Sequence, residues 1–300
     1  MQQQFNEKNA NLQIWVGAQL WPRNQAKVSV FDSAVQGGDA VWEGLRVYDG
    51  HIFALDDHLD RLFASAKTLA FEDVPTREWI QNAIFSTLEA NDMRDGAHIR
   101  LTLSRGTKYT SSMDPRVNTE GCTLVVLAEW KTPVFGEQRL RLVTSSVRRN
   151  SPSCIDSKIH HNNLINNILA KIEANYAGAD EAIMLDLYGF VAETNACNLF
   201  FLKKGVLYTP HGDACLPGIT RGKVLQLATE IGIKTVERNL SVSEFYNADE
   251  VFVTGTMGEL TAVGSIDGRN IECQHAVQLL PKLQAAYKVW TSTQGVKLPF

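Results

Sequence analysis

The chain has 300 residues, 44% of them hydrophobic, with a net charge of -4 and a pI of about 6.0. That suffices for one large or two medium domains, and gives no electrostatic basis for nucleic acid or an anionic membrane as a partner. The five cysteines (122, 154, 197, 215 and 273) are widely spaced without a C-x-x-C, no signal-peptide pattern opens the chain, and no apolar run reaches the ~20 residues of a membrane helix, so the chain reads as reduced, metal-free and cytoplasmic.

Residues 1–12 are polar and read as a frayed start. Ile52-Phe-Ala-Leu55 predicts a short strand ended by Asp56-Asp57 as a helix cap. Leu59, Leu62, Phe63, Ala66, Leu69 and Ala70 recur at helical spacing, as do Trp79, Ile80, Ala83, Ile84 and Leu88 in a second helix. In the next strand Ile99, Leu101 and Leu103 alternate with His98, Arg100, Thr102 and Ser104. Thr123 to Ala128 reads as a strand buried on both faces. Trp130 to Gly136 breaks the pattern and opens a linker. The second half begins with a strand, Leu140–Thr144. After Lys158 comes a helix striped by Leu164, Ile165, Ile168, Leu169, Ile172 and Tyr176. Strands at 182–186, 190–193 and 198–202 follow, with tight turns between them. A helix from about Thr220 ends at Gly232, and a strand at 250–254 runs into Gly255. There is no internal repeat. Strands and helices on both sides of the linker predict two α/β domains. Residues 1–129 form one, 130–138 the linker and 139–300 the other, with a ligand cleft expected between them.

The chemistry lies in three strings of the second half. Lys158 is followed by Phe190-Val-Ala-Glu193-Thr-Asn-Ala-Cys-Asn-Leu-Phe200, then Leu216-Pro-Gly-Ile-Thr-Arg221, then Val253-Thr-Gly-Thr-Met-Gly258. A lysine amine can form a Schiff base with an aldehyde. A carboxylate can hold a protonated pyridine nitrogen, and N–H groups at a helix start can hold a phosphate. These are the parts needed for pyridoxal phosphate. A free lysine has a pKa near ~10.4 and is a poor nucleophile at neutral pH; burial beside other positive groups could lower it by about 3 units. Each part alone has an ordinary reading: a solvated lysine, a turn carboxylate, a capped helix. Their order and spacing favour the cofactor.

These strings, with Trp42-Glu-Gly-Leu-Arg46, resemble the class IV aminotransferases of pyridoxal phosphate fold type IV, from about Val28 to Gly268. That family includes branched-chain and D-amino acid aminotransferases, R-selective amine transaminases and aminodeoxychorismate lyases. The resemblance implies a small N-terminal α/β domain and a larger C-terminal pseudo-barrel α/β domain, with the cofactor in the cleft, and at least a homodimer. It implies Lys158 as the catalytic lysine. Arg61, Glu193, Ala196, Cys197, Leu216, Ile219, Thr220, Gly255 and Thr256 would join it around the cofactor. Gly37, Trp42, His98, Arg100, Thr256 and Met257 would border the substrate. Branched-chain enzymes carry Tyr-x-Arg where this chain has His98-Ile-Arg100. Gly37 and Asn163 each replace a tyrosine, and Trp42 a phenylalanine. No Arg-x-His follows Ser104-Arg-Gly-Thr, which argues against D-specificity. The expected activity is transfer of an amino group from an apolar L-amino acid to a 2-oxo acid. D-amino acid or R-amine transamination and lyase chemistry are the alternatives. A dinucleotide oxidoreductase is disfavoured, since no G-x-G-x-x-G follows an early strand. His160-His161 read as polar residues opening the helix.

Overall fold

The computed structural model describes residues 5–135, 138–272 and 278–300; Gly136 and Glu137 of the expected linker, and Cys273, lie outside them. In chain order the elements are β1 (Gln13–Val16), β2 (Gln19–Pro22), α1 (Ser33–Gly37), β3 (Ala40–Tyr48), β4 (His51–Ile52), α2 (Leu55–Thr68), α3 (Arg77–Ala90), β5 (Ala97–Ser104), β6 (Thr123–Trp130) and β7 (Leu140–Thr144). There follow α4 (Ile165–Tyr176), β8 (Glu181–Leu185), β9 (Val191–Thr194), β10 (Asn198–Lys203), β11 (Val206–Pro210), α5 (Ile219–Glu230), β12 (Thr235–Arg238), α6 (Val242–Tyr246), β13 (Glu250–Gly255), β14 (Glu259–Ile266), β15 (Arg269–Asn270), α7 (Leu280–Thr293) and β16 (Val296–Lys297). They form two compact units. The first runs to Thr132 and takes in Ile159–Asn163 and Thr291–Phe300; the second holds Pro133–Lys158 and Leu164–Trp290.

Two segments expected in the C-terminal domain therefore join the N-terminal one, for a reason of backbone pairing. His161 bridges Val41 beside β3, and β16 pairs with β4. Sequence periodicity reports a segment's own conformation, not which distant strand supplies its hydrogen bonds.

The sheet of the first unit is antiparallel throughout, in the order β16-β4-β3-β5-β6-β1-β2. Val41, Leu45, Ile99, Leu101, Leu103, Leu124 and Val126 pack with Leu55, Leu59 and Leu62 of α2 and Ile80, Ala83, Ile84 and Leu88 of α3 into one core. The β5 alternation predicts this face directly. Three local expectations change. β6 is buried on one face only, since Val125 and Leu127 alternate with the buried Leu124, Val126 and Ala128. Asp56 and Asp57 lie inside the first turn of α2, whose N-cap is Ala54 at φ 51°, and there they favour the positive end of the helix. The start of the chain is tied down: Asn9 is buried, its amide donating to Trp130 O (3.1 Å) and accepting from Trp130 N (2.8 Å).

The second unit has a mixed sheet, β12-β11-β10-β13-β14-β7-β8-β9, with β15 on β14. β9 also approaches β10 and β11, so the sheet curls toward closure. Phe200 and Phe252 stack at 5.1 Å, and Phe201, Phe245, Val251 and Val253 fill its core. α4 forms where predicted but buries the opposite side. Its buried residues are Ala170 and Ala174, packed on Ala182 and Met184, while Ile165, Ile168, Leu169, Ile172 and Tyr176 are exposed. Small alanines let the helix lie close to β8, which leaves the bulky stripe outward. Among the described residues no helix is long and apolar enough to cross a membrane.

Candidate functional site

Glu193 lies buried on β9, and its carboxylate has three partners. Arg149 Nε donates to Oε1 at 2.6 Å; Asn198 Nδ2 at 3.1 Å and Leu216 N at 3.2 Å donate to Oε2. Burial pushes the Glu193 carboxyl up, opposed by Arg149 and by the bonds from Arg149 and Leu216. Arg149, itself 6% exposed, is the residue that sequence reasoning missed. The signal was a charged pair, Arg148-Arg149, soon after a strand; only the fold shows that the second arginine turns inward. Asn198 was noted within its motif but given no role. It stitches β10 to Leu216 O (3.0 Å) as well as to Glu193.

The turn before α5 is built for close approach. A Cβ on Gly218 would stand 2.0 Å from Asn198 Oδ1, so any side chain here would push the Asn198 amide out of its bonds to Glu193 and Leu216. Gly218 is the N-cap of α5 and no side chain caps this helix. The N–H groups of its first turn, with the Thr220 hydroxyl, are thus a donor set suited to a dianion. Beside the Gly255-Thr256 turn, the buried Thr254 Oγ1 has no hydrogen-bond partner among the described residues. Cys197 is buried with its Sγ 3.4 Å from where a Gly255 Cβ would stand, while Ala196 is exposed. Met257 is half-buried, and its carbonyl accepts from Val134 N.

The Lys158 side chain is 44% exposed, with Nζ 3.1 Å from Asp213 O and 3.5 Å from the Asp156 carboxylate. The lysine sits in an open turn, with α4 starting only at Ile165. His160 and His161 are not helix-start residues either. Both are buried in the segment that lies along β3.

In the first unit, Trp42, His98 and Arg100 share the sheet face turned away from the helices. The Arg100 guanidinium lies 3.4 Å from the centre of the Trp42 ring, and its Nη2 donates to Asn162 Oδ1 at 3.0 Å. Among the described residues no carboxylate pairs with it. Burial pulls its pKa down to about 10, against the pull of Glu43. Burial, then Lys131, Arg46 and Arg100, push His98 down to about 3, so this imidazole is neutral. Gly44, opposite Arg100, leaves room for both rings: a Cβ there would meet His98 Nε2 at 3.3 Å. Gly37 is exposed at the end of α1, where an added Cβ would point into open space. Arg61 grips Glu43 with two bonds, Nε to Oε1 at 2.8 Å and Nη2 to Oε2 at 2.7 Å. No group of three or more metal-ligating side chains gathers among the described residues.

Comparison with known proteins defines the class. The profile of amino-transferase class IV matches residues 40–266, and the chain belongs to that family. "Branched-chain-amino-acid aminotransferase-like protein 1" of Arabidopsis thaliana is 58% identical over 293 residues, covering 97% of this chain and 53% of that protein. The chain thus spans about half the length of that relative. The branched-chain-amino-acid aminotransferase of Pseudomonas aeruginosa is 36% identical, with 91% of each covered. The crystal structure of the Escherichia coli branched-chain amino acid aminotransferase superposes with a TM-score of 0.87 at 30% identity, covering 95% of this chain and 96% of that one. The Thermobaculum terrenum branched-chain amino acid aminotransferase in its PLP-form (holo-form) gives 0.85 at 27%, covering 95% of each.

Proposed function

We propose that the protein is a pyridoxal-phosphate-dependent transaminase that moves an amino group from an apolar, branched-chain-type L-amino acid to a 2-oxo acid. The observation that carries this reading is the buried Glu193–Arg149 pair beside an uncapped, glycine-led helix start, in a chain of the class IV family. The residues fit the cofactor. Ile219 and Thr220 N–H groups, the Thr220 hydroxyl and the Gly255-Thr256 turn would hold its phosphate, with Arg61 adding a positive charge. Leu216, Ala196 and Cys197 would line the ring, and Glu193 would accept from its nitrogen. When bound, the cofactor supplies a carbonyl to capture the amine and an electron-poor ring to take up charge. Arg149 opposes the upward push of burial on Glu193 and fixes its carboxylate, which would face the ring nitrogen and hold a proton there. The Lys158 amine would move the proton at the substrate α-carbon, with the Asp156 carboxylate 3.5 Å away.

Substrate recognition falls to Trp42 as an apolar wall, Arg100 as an unpaired cation for a carboxylate, neutral His98 as a hydrogen-bonding group, and the Gly37, Thr256 and Met257 backbone. Initial rates with L-leucine, L-valine, D-alanine and R-1-phenylethylamine test this reading. L-Leucine is expected to lead, and Arg100→Ala to lower its kcat/KM by about tenfold to a hundredfold, since a charged hydrogen bond contributes roughly 1.5–3 kcal/mol. D-Alanine or the R-amine exceeding L-leucine tenfold would overturn the L-specific assignment and leave only the transaminase class.

The exposed apolar stripe of α4, with exposed Leu187 and Tyr188, supports a homodimer or larger homo-oligomer. Sedimentation should show at least a dimer; a fully active monomer would refute it. The four described cysteines are free thiols, in keeping with the cytoplasm.

A further inference from the structure

The paired histidines after Lys158 have no part in the reading above, and the structure places them in a distinctive setting. Residues 159–163 form a strap along β3. Trp42 N donates to His160 O at 2.9 Å, Asn162 N to Ala40 O at 2.8 Å, and Trp42 Nε1 to His161 O at 3.1 Å. His160 N donates to Ser65 Oγ of α2 at 3.1 Å, and its ring lies against Trp42, tilted by 36° with centroids 4.0 Å apart.

The same ring reaches Glu43, which is 0% exposed. Glu43 Oε1 accepts from Arg61 Nε (2.8 Å) and His160 Nδ1 (3.2 Å); Oε2 accepts from Arg61 Nη2 (2.7 Å) and His58 Nδ1 (2.6 Å). A carboxylate only accepts, so both imidazoles carry their proton on Nδ1. Burial would push Glu43 up, but His160, Arg61 and His58 together hold it well below the usual carboxylate range. Burial takes His160 down to about 4, against the pull of Glu43, so its ring is neutral.

A fully buried carboxylate with four donors is not explained by stability. Apolar residues of similar volume often replace buried ion pairs at no loss. What Glu43 does is hold two things in fixed positions. One is the guanidinium of Arg61. The other is the strap whose first residue is bonded to Lys158. We propose that Glu43 is a positioning residue: it orients Arg61 for the cofactor phosphate and, through His160, anchors the chain leaving Lys158, so that one carboxylate ties the phosphate grip to the lysine. The proposal rests on the reading in which Arg61 meets the phosphate.

The test is equilibrium binding of pyridoxal phosphate and of unphosphorylated pyridoxal to cofactor-free protein, followed by absorbance. The ratio, the dissociation constant of pyridoxal divided by that of pyridoxal phosphate, reports the phosphate grip alone. Glu43→Gln should lower that ratio at least tenfold. Glu43→Gln combined with Arg61→Gln should lower it no further than Arg61→Gln does by itself, because the two residues act as one unit. A merely structural carboxylate would weaken both ligands together, and a ratio within twofold of wild type in Glu43→Gln overturns the proposal. If Arg61→Gln leaves the ratio unchanged, the phosphate role of Arg61 fails and this proposal with it. If Arg61→Gln lowers the ratio and Glu43→Gln does not, the positioning role alone fails. Should Glu43→Gln not fold, His160→Phe keeps a ring against Trp42 and removes one donor to Oε1. A fall of at least threefold in its ratio supports the proposal, and an unchanged ratio counts against it.

Discussion

Lys158→Ala is expected to lower transamination at least ~10⁴-fold, about 5.5 kcal/mol of barrier, since both the covalent and the proton-moving roles of the amine are lost. The protein should remain folded. The side chain is partly exposed and its contacts are Asp156 and the Asp213 carbonyl, both reachable by water, so stability should change by no more than about 0.5 kcal/mol. Phosphate contacts at Ile219, Thr220 and Thr256 should still retain some cofactor, but borohydride should no longer fix it to the chain. Amino-group transfer measured with L-leucine, with thermal unfolding alongside, checks both halves. A fully active Lys158→Ala protein would remove the lysine from the chemistry.

Glu193→Gln should lower kcat by about 10²–10³, roughly 2.7–4 kcal/mol, the scale on which a preorganised electrostatic group acts. The amide fills the same volume but cannot hold a proton at the ring nitrogen by charge. It also leaves Arg149 buried without its counter-charge, so a stability loss of about 3–5 kcal/mol is expected. The two effects separate if kcat is measured at saturating cofactor below the unfolding transition. A kcat within threefold of wild type, less than ~0.7 kcal/mol, would show that the ring nitrogen does not depend on this carboxylate. Arg149→Met would test the same pair from the other side.

Much of the fold was legible because it is written in local periodicity. The alternation of Ile99, Leu101 and Leu103 placed β5 and named its buried face, and the repeat from Trp79 to Leu88 placed α3. The strands bearing Glu193 and Asn198 and the start of α5 were equally local, since short apolar runs between tight turns mark the strands and Pro217-Gly218 marks the helix start. Periodicity failed where two faces were both plausible. For α4 it marked the apolar stripe and could not say that alanines would face β8, because packing distance rather than hydrophobicity decided the side.

By itself the sequence determined the strongly periodic elements, such as α2, α3, β5 and β8 to β10, the class IV motifs, and through that resemblance the candidates Lys158, Glu193 and Arg100. Only the tertiary structure decided that Arg149 is the counter-charge of Glu193, that residues 159–163 return to β3, that Glu43 gathers Arg61, His58 and His160, and that Lys158 stands in an open turn. Each of these depends on how segments distant in sequence pair, or leave a residue open, in space. Burial and ion pairing depend on distances in space, and no local pattern of residues records them.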